Sequence, residues 1–280
     1  MLPSDQQRAL ESLLGDGDGS TRDLVIHEVI TRRRDLEPLV RDFLGSADSR
    51  TVDAARRILA GWGCPVAEDH GSDPGRLPPL QTWKQLEELC WLMARMEYPG
   101  LDSRPYEKTL QAWADRVREA AGSRPSPLSK IRALRQILAE ETGLHGNRAH
   151  YYDPANSFIN RVIDTRLGIP LTLSLVYLFV AHRAGWEAYG LNTPGHYLAG
   201  LEGMVFDPYY GAAVVSAESL AERFGGTAAE CAGPDFCRAT PVDTAQRMLS
   251  NLLNCYLKNG DDVRYRRINS YLKILQENAV

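Results

Sequence analysis

The sequence has no long apolar run. Its longest, Leu175 to Ala181, is too short to cross a bilayer. The start of the chain has no basic stretch followed by an apolar one, so no secretory leader is expected. Charge of one sign is also scarce. Lys and Arg number 32 against 36 Asp and Glu, a net charge of −4 with a pI near 5.9. That balance argues against a general binder of nucleic acid or of anionic membranes. Cysteines are few and scattered: Cys64, Cys90, Cys231, Cys237 and Cys255, odd in number and never spaced as C-x-x-C. This excludes a disulfide framework and the usual zinc signatures, and fits reduced thiols in a cytoplasm. What is present is ordinary for a globular protein, with 44% hydrophobic and 24% charged residues. The length suits one large or two medium domains.

Apolar residues recur at helical spacing in 23–32, 36–44 and 52–62, so residues 1–63 read as short helices, repeat-like but without a fixed period. In the first of these, Leu24, Val25, Ile26, Val29 and Ile30 form the expected apolar face, with Ser20 or Thr21 as cap. The Arg32-Arg33-Arg34 run is a phosphate patch or, as charge runs usually are, the solvated end of a helix. Asp16-Gly17-Asp18-Gly19 resembles the start of a calcium loop, but the loop's final glutamate position is His27, so a plain turn is expected. Residues 64–81, with Pro65, Pro74, Pro78 and Pro79, read as a linker.

Helices are expected at 82–98, 106–121 and 128–142, then at 158–167, capped by Asn156 or Ser157 and ended by Gly168. The next, from Pro170 to about Ala184, is apolar on most sides and reads as the central buried helix. The period then changes to short strands at 188–191, 195–201 and 204–207. The last two form a hairpin in one of two registers. If Gly200 faces Gly203, His196 faces Asp207. If Glu202-Gly203 is the turn, Asp207 lies diagonal to His196 on the same face. A short helix at 217–224, a loop at 225–241 and two final helices at 242–258 and 261–276 complete the chain.

A histidine held by a carboxylate is the base half of a catalytic triad, or a buried pair that only ties two strands together. His145, His150 and Asp153 match no metal-ligand spacing, so no metal and no cofactor are implied. Tyr151, Tyr152, Tyr197, Tyr209 and Tyr210 are each ordinary core aromatics or together the wall of a groove near His196.

Residues 168–209 resemble the core of the transglutaminase-like superfamily. The match rests on His196, on Asp207 and on Ala181-His182-Arg183-Ala184-Gly185, which stands where the family's helix ends in a turn with arginine and glycine. The resemblance narrows to the bacterial SirB-type branch through Gly146-Asn147, Tyr151-Tyr152-Asp153-Pro154, Asn156-Ser157, Asn160-Arg161-Val162, Gly168-Ile169-Pro170 and Pro194-Gly195-His196. It implies an α+β, mostly helical fold: a papain- or transglutaminase-like core with a small antiparallel sheet at 82–240 and a tetratricopeptide-like hairpin at 241–280. In that family a cysteine nucleophile opens the buried helix. Here the position is Pro170, which has no nucleophilic atom.

Thr172 could substitute as a nucleophile or serve only as a cap, and Cys231 or Cys237 could fold back. The expected cleft comprises Asn156, Pro170, Thr172, Tyr151, Tyr197 and Tyr209. Three readings follow. The first is a non-catalytic binding protein with a protein or peptide partner rather than nucleic acid or membrane. The second is a cysteine-independent hydrolase or transferase using His196 and Asp207 as a base. The third is a scaffold with a closed cleft.

Overall fold

The computed structural model describes every residue except 1–2, 47, 63–76, 78–79, 99–100, 232, 234–235 and 278–280. Most of the linker expected at 64–81, and Cys64 with it, lies outside the described residues. The chain divides into two compact units, Met1–Asp73 with Leu92–Asp102, and Pro74–Trp91 with Ser103–Val280.

In the first unit, α1 (Ser4–Leu14), α2 (Gly19–Arg32), α3 (Glu37–Asp42) and α4 (Ser49–Gly61) enclose a core of Leu14, Ile26, Val29, Val40, Phe43, Ile58 and Leu59. The cap of α2 is Asp18 rather than Ser20 or Thr21. Its carboxylate accepts from both of their backbone N–H groups at 3.2 Å. A carboxylate is also favoured there by the helix dipole. Leu24 is 71% exposed, not part of the apolar face. Two residues before the buried Ile26, it projects from the far side of the helix.

The second unit takes residues 83–91 of α5 (Trp83–Glu97), then α6 (Arg104–Ala121) and α7 (Pro127–Leu134). The single helix expected at 128–142 widens into a π-helical stretch, Arg135–Glu141. There, side chains five apart pair, Arg135 with Glu140 and Gln136 with Glu141, as a wider turn allows. Two short strands, β1 (His145–Gly146) and β2 (Leu167–Gly168), run parallel on either side of α8 (Ile159–Thr165). The cap of α8 is Phe158 without a side-chain bond, and it ends at Arg166 in the left-handed conformation, earlier than Gly168.

Helix α9 (Pro170–Arg183) is buried from Pro170 through Ala181. It packs on an antiparallel sheet of β3 (Ala188–Leu191), β4 (Leu198–Leu201), β5 (Met204–Asp207), β6 (Ala213–Val215) and β7 (Arg238–Ala239), in the order β6-β5-β4-β3-β7. Strand β7 falls within the loop expected at 225–241, and β6 in a stretch where no strand was expected. Each is too short to show an alternating pattern of its own. Phe206 meets Tyr177 of α9 on one face of the sheet. On the other, Leu191, Leu198 and Val205 pack with Leu220 and Cys231, from α10 (Ala217–Phe224) and α11 (Ala228–Cys231). Helices α12 (Pro241–Lys258) and α13 (Asp262–Glu277) follow as a hairpin. The fold is α+β and mostly helical, as expected, with helices against a small antiparallel sheet. Among the described residues, no helix is long and apolar enough to cross a membrane.

The hairpin adopts the second of the two registers. Leu201 pairs with Met204, and Glu202 and Gly203 form the turn with φ of 48° and 86°. Both turn residues in the left-handed region match the twist of the flanking strands. A branched side chain is strained there, so Gly203→Val should cost about 1–2 kcal/mol in urea unfolding. An unchanged midpoint would mean that the turn does not fix the register.

A second expectation concerns the end of α9. His182 stacks on Trp83 at 5.9 Å, and its Nε2 has no hydrogen-bond partner among the described residues. Burial, more than the nearby Arg183, holds this imidazole below its ordinary pKa against the opposing pull of a backbone bond and Glu87. The unfolded chain therefore binds more protons as pH falls through about 6.5, and stability drops there. Urea unfolding at about pH 7.5 and 5.5 should show a smaller pH effect in His182→Gln than in wild type. Equal slopes would contradict this.

Candidate functional site

His196 lies in the turn before β4, and Asp207 is the last residue of β5. Gly195, at φ +70°, reverses the chain, and the Thr193 hydroxyl donates to the His196 carbonyl at 3.1 Å. On the other side, the Asp207 Oδ1 accepts from the Tyr209 N–H at 3.0 Å. With both backbones held, His196 Nε2 meets Asp207 Oδ2 at 2.8 Å, and both residues are buried. Donation from Nε2–H to the carboxylate leaves the Nδ1 lone pair as the base. Arg223 of α10 stands 3.8 Å from the same Oδ2. It was not anticipated, because nothing in the sequence fixes how α10 lies over the sheet.

The aromatic surroundings come from the segment after β5. Tyr209 meets the imidazole edge-on at 6.1 Å and 89°, and Tyr210 lies at 6.3 Å. Tyr209 is seated on Gly146 of β1, where a Cβ would stand 2.3 Å from its ring. Burial, opposed by Arg148, raises the Tyr209 pKa. Burial also raises that of Tyr151, and the neighbouring Tyr209 adds to it.

Helix α9 passes the same place. Ser174, one turn into it, donates to the Tyr197 carbonyl at 3.4 Å, so the second turn touches the backbone next to His196. Proline opens the helix, and the preceding Ile169 offers no capping side chain. The Thr172 hydroxyl donates to the Asn156 carbonyl, which commits its proton to a buried acceptor. Asn156 is itself a strut. Its Nδ2 donates to the His150 and Tyr151 carbonyls, and its Oδ1 accepts from Asn147. Tyr197 is 1% exposed and its hydroxyl is bonded to Thr244, so it points into the core rather than a cleft.

Of the residues expected to line a cleft, Tyr209 is therefore packed on His196, itself buried, and Tyr151 is exposed. Asn156, Pro170, Thr172 and Tyr197 are internal supports. None of the described cysteines is paired with His196 or Asp207, though Cys255 neighbours Tyr151. Burial raises the Cys90 thiol strongly, and Cys90 faces Met248. It takes Cys255 to about 11. Cys231 belongs to the core on the α10 side of the sheet, with Cys237 against that core. No group of three His, Cys, Asp or Glu that could hold a metal is present among the described residues. His145 Nδ1 is bonded to the Gly143 carbonyl, and Asp153 caps the turn at Ala155.

A family model of the transglutaminase-like superfamily matches residues 104–250, a span that contains Pro170, His196 and Asp207. The chain belongs to this superfamily. Among curated relatives, a UPF0162 protein of Xylella fastidiosa is 37% identical over 136 residues, 47% of this chain and 48% of that one. F-box only protein 21 of Mus musculus is 29% identical over 160 residues, 51% of this chain and 24% of that protein. A UPF0162 protein of Vibrio cholerae is 30% identical over 82 residues, 29% of this chain and 30% of that one. The chain thus spans about half the length, or less, of the curated relatives it matches. No solved structure matches it. In this transglutaminase-like chain the histidine and aspartate form a bonded pair and the helix opens with proline.

The close approach of Tyr209 to Gly146 makes a direct prediction. Gly146→Ala must displace the ring, costing about 1–3 kcal/mol in thermal unfolding by overpacking. It should also shift the His196 ring resonances in NMR spectra. A variant as stable as wild type with an unmoved imidazole would show that the contact does not position Tyr209.

Proposed function

We propose that this protein is a non-catalytic, transglutaminase-like binding or regulatory protein of the SirB-type branch. In this reading the core spans 82–240, a tetratricopeptide-like tail spans 241–280, a separate helical segment spans 1–63, and the protein acts in the cytoplasm on a protein or peptide partner. One observation carries the reading: a proline opens the buried helix whose second turn bonds the backbone next to His196, and His196 is still hydrogen-bonded to Asp207 at 2.8 Å. A helix N-terminus would polarise a thiol at that position, and proline has none to offer. The hydroxyl of Thr172 is spent on a buried carbonyl, Cys90, Cys231 and Cys237 pack elsewhere, and burial holds the Cys255 thiol protonated with a pKa of about 11. What remains is a preformed base beside aromatic side chains, a surface suited to holding a segment without cutting it.

A second reading rests on the Nδ1 of His196, the nitrogen not engaged by Asp207. It could activate water, giving a hydrolase that needs no thiol.

A screen over peptide, amide and ester substrates, run with iodoacetamide, with a variant lacking all five cysteines and with His196→Ala, separates the two. The binding reading predicts no turnover in any of the four. Turnover lost only in His196→Ala would establish the water-activating base instead. Turnover lost in the folded cysteine-free variant would show that a distant thiol acts, which contradicts both.

A further inference from the structure

A row of tyrosines leads away from the His196–Asp207 pair. Tyr210 and Tyr209 meet at 5.3 Å and 79°, Tyr151 and Tyr152 at 5.2 Å and 81°. Tyr209 lies on Gly146, and the next residue, Asn147, accepts from the His150 N–H at 3.0 Å, so the loop that carries Tyr151 and Tyr152 starts beside Tyr209 and the two pairs form one row. Tyr210 is 51% exposed and Tyr152 is 54% exposed. Cations accompany the row along its length. Arg148 lies over Tyr210 at 5.1 Å, Lys258 over Tyr152 at 3.3 Å, and Arg223 closes the end beside Asp207. Among the described residues, neither Arg148 nor Lys258 is ion-paired with a carboxylate. Asp207 is buried in its bond with His196, and the Asp153 carboxylate caps a turn. In a chain of net charge −4, this is a local cationic strip on an aromatic base.

Tyrosine and arginine are the residues enriched where proteins hold other proteins, because they offer apolar area and directed hydrogen bonds together. We propose that an acidic, extended protein segment docks along the exposed Tyr152, Tyr151 and Tyr210, over the buried Tyr209, with its carboxylates on Lys258 and Arg148 and its end toward His196. The proposal rests on the binding reading above and names the partner's chemistry. Single-stranded nucleic acid fits less well. The rings stand edge-on to one another and Tyr152 and Tyr210 already carry a cation on one face, so they form no continuous stacking platform for bases.

The test is fluorescence anisotropy of the full chain with a labelled peptide of alternating glutamate and leucine, its lysine–leucine counterpart and a labelled oligothymidine. The acidic peptide should bind best, and more weakly as salt rises. Arg148→Glu with Lys258→Glu, and separately Tyr210→Ala, should each weaken it by about tenfold while circular dichroism stays that of wild type. No binding of the acidic peptide, equal or tighter binding of either other probe, or variants that bind as wild type would overturn the proposal. Peptide bound and then cleaved in a His196-dependent way would support the docking strip and remove the non-catalytic reading. An inert protein that fails to bind would remove the strip and leave that reading standing.

Discussion

Helix α9 is apolar over nearly its whole circumference, and the need to bury all of it organises the second unit. Each fully buried Leu, Val or Phe side chain contributes about 1.5–3 kcal/mol, and α9 supplies Leu173, Leu175, Val176, Leu178, Phe179 and Val180. A single hydrogen bond contributes about 1 kcal/mol net, or somewhat more when charged. Packing therefore holds the His196–Asp207 pair in place, and the pair does little to hold the packing. The sheet closes one side of α9, helices α6 and α8 contact it from others, and Ser174 in its second turn bonds the residue after His196.

Two glycines let this packing reach the site. Gly146 allows Tyr209 to lie against β1, which brings the 208–210 segment onto both α9 and the β1–β2 pair. Gly195 lets the chain reverse so that the imidazole turns toward β5. The result is a base fixed in one tautomer with its carboxylate already satisfied by a backbone N–H. Such a base has no covalent chemistry of its own, since a nucleophile has to be supplied by the chain, by water or by a bound partner.

Much of this was legible in the sequence. The buried helix declared itself through its apolar residues and its flanking Pro170 and Gly185. The strands 188–191 and 204–207 showed in the change of period. The hairpin register was narrowed to two choices, and the turn was decided by Glu202 taking a left-handed conformation that glutamate rarely signals. The placement of Tyr197 was also readable. It follows His196 in extended chain, where neighbours point to opposite sides, so grouping both in one cleft ignored the alternation. Other features had no local signal. Gly146 and Tyr209 are far apart in sequence, Arg223 approaches Asp207 only through the lie of α10, and the roles of Asn156 and Thr172 as internal struts depend on a loop that folds back over 147–151. These are products of tertiary packing, which overrides local pattern.

On the reading proposed above, a transglutaminase-like frame survives with only its nucleophile missing. Restoring that atom tests the claim most directly: Pro170→Cys in a background lacking the native cysteines, with the alkylation rate of the single thiol followed against pH, and again with His196→Ala. The new thiol should titrate below its ordinary value of about 8.5 and lose this activation when His196 is removed. A thiol that titrates at or above that value, indifferent to His196, would contradict that reading.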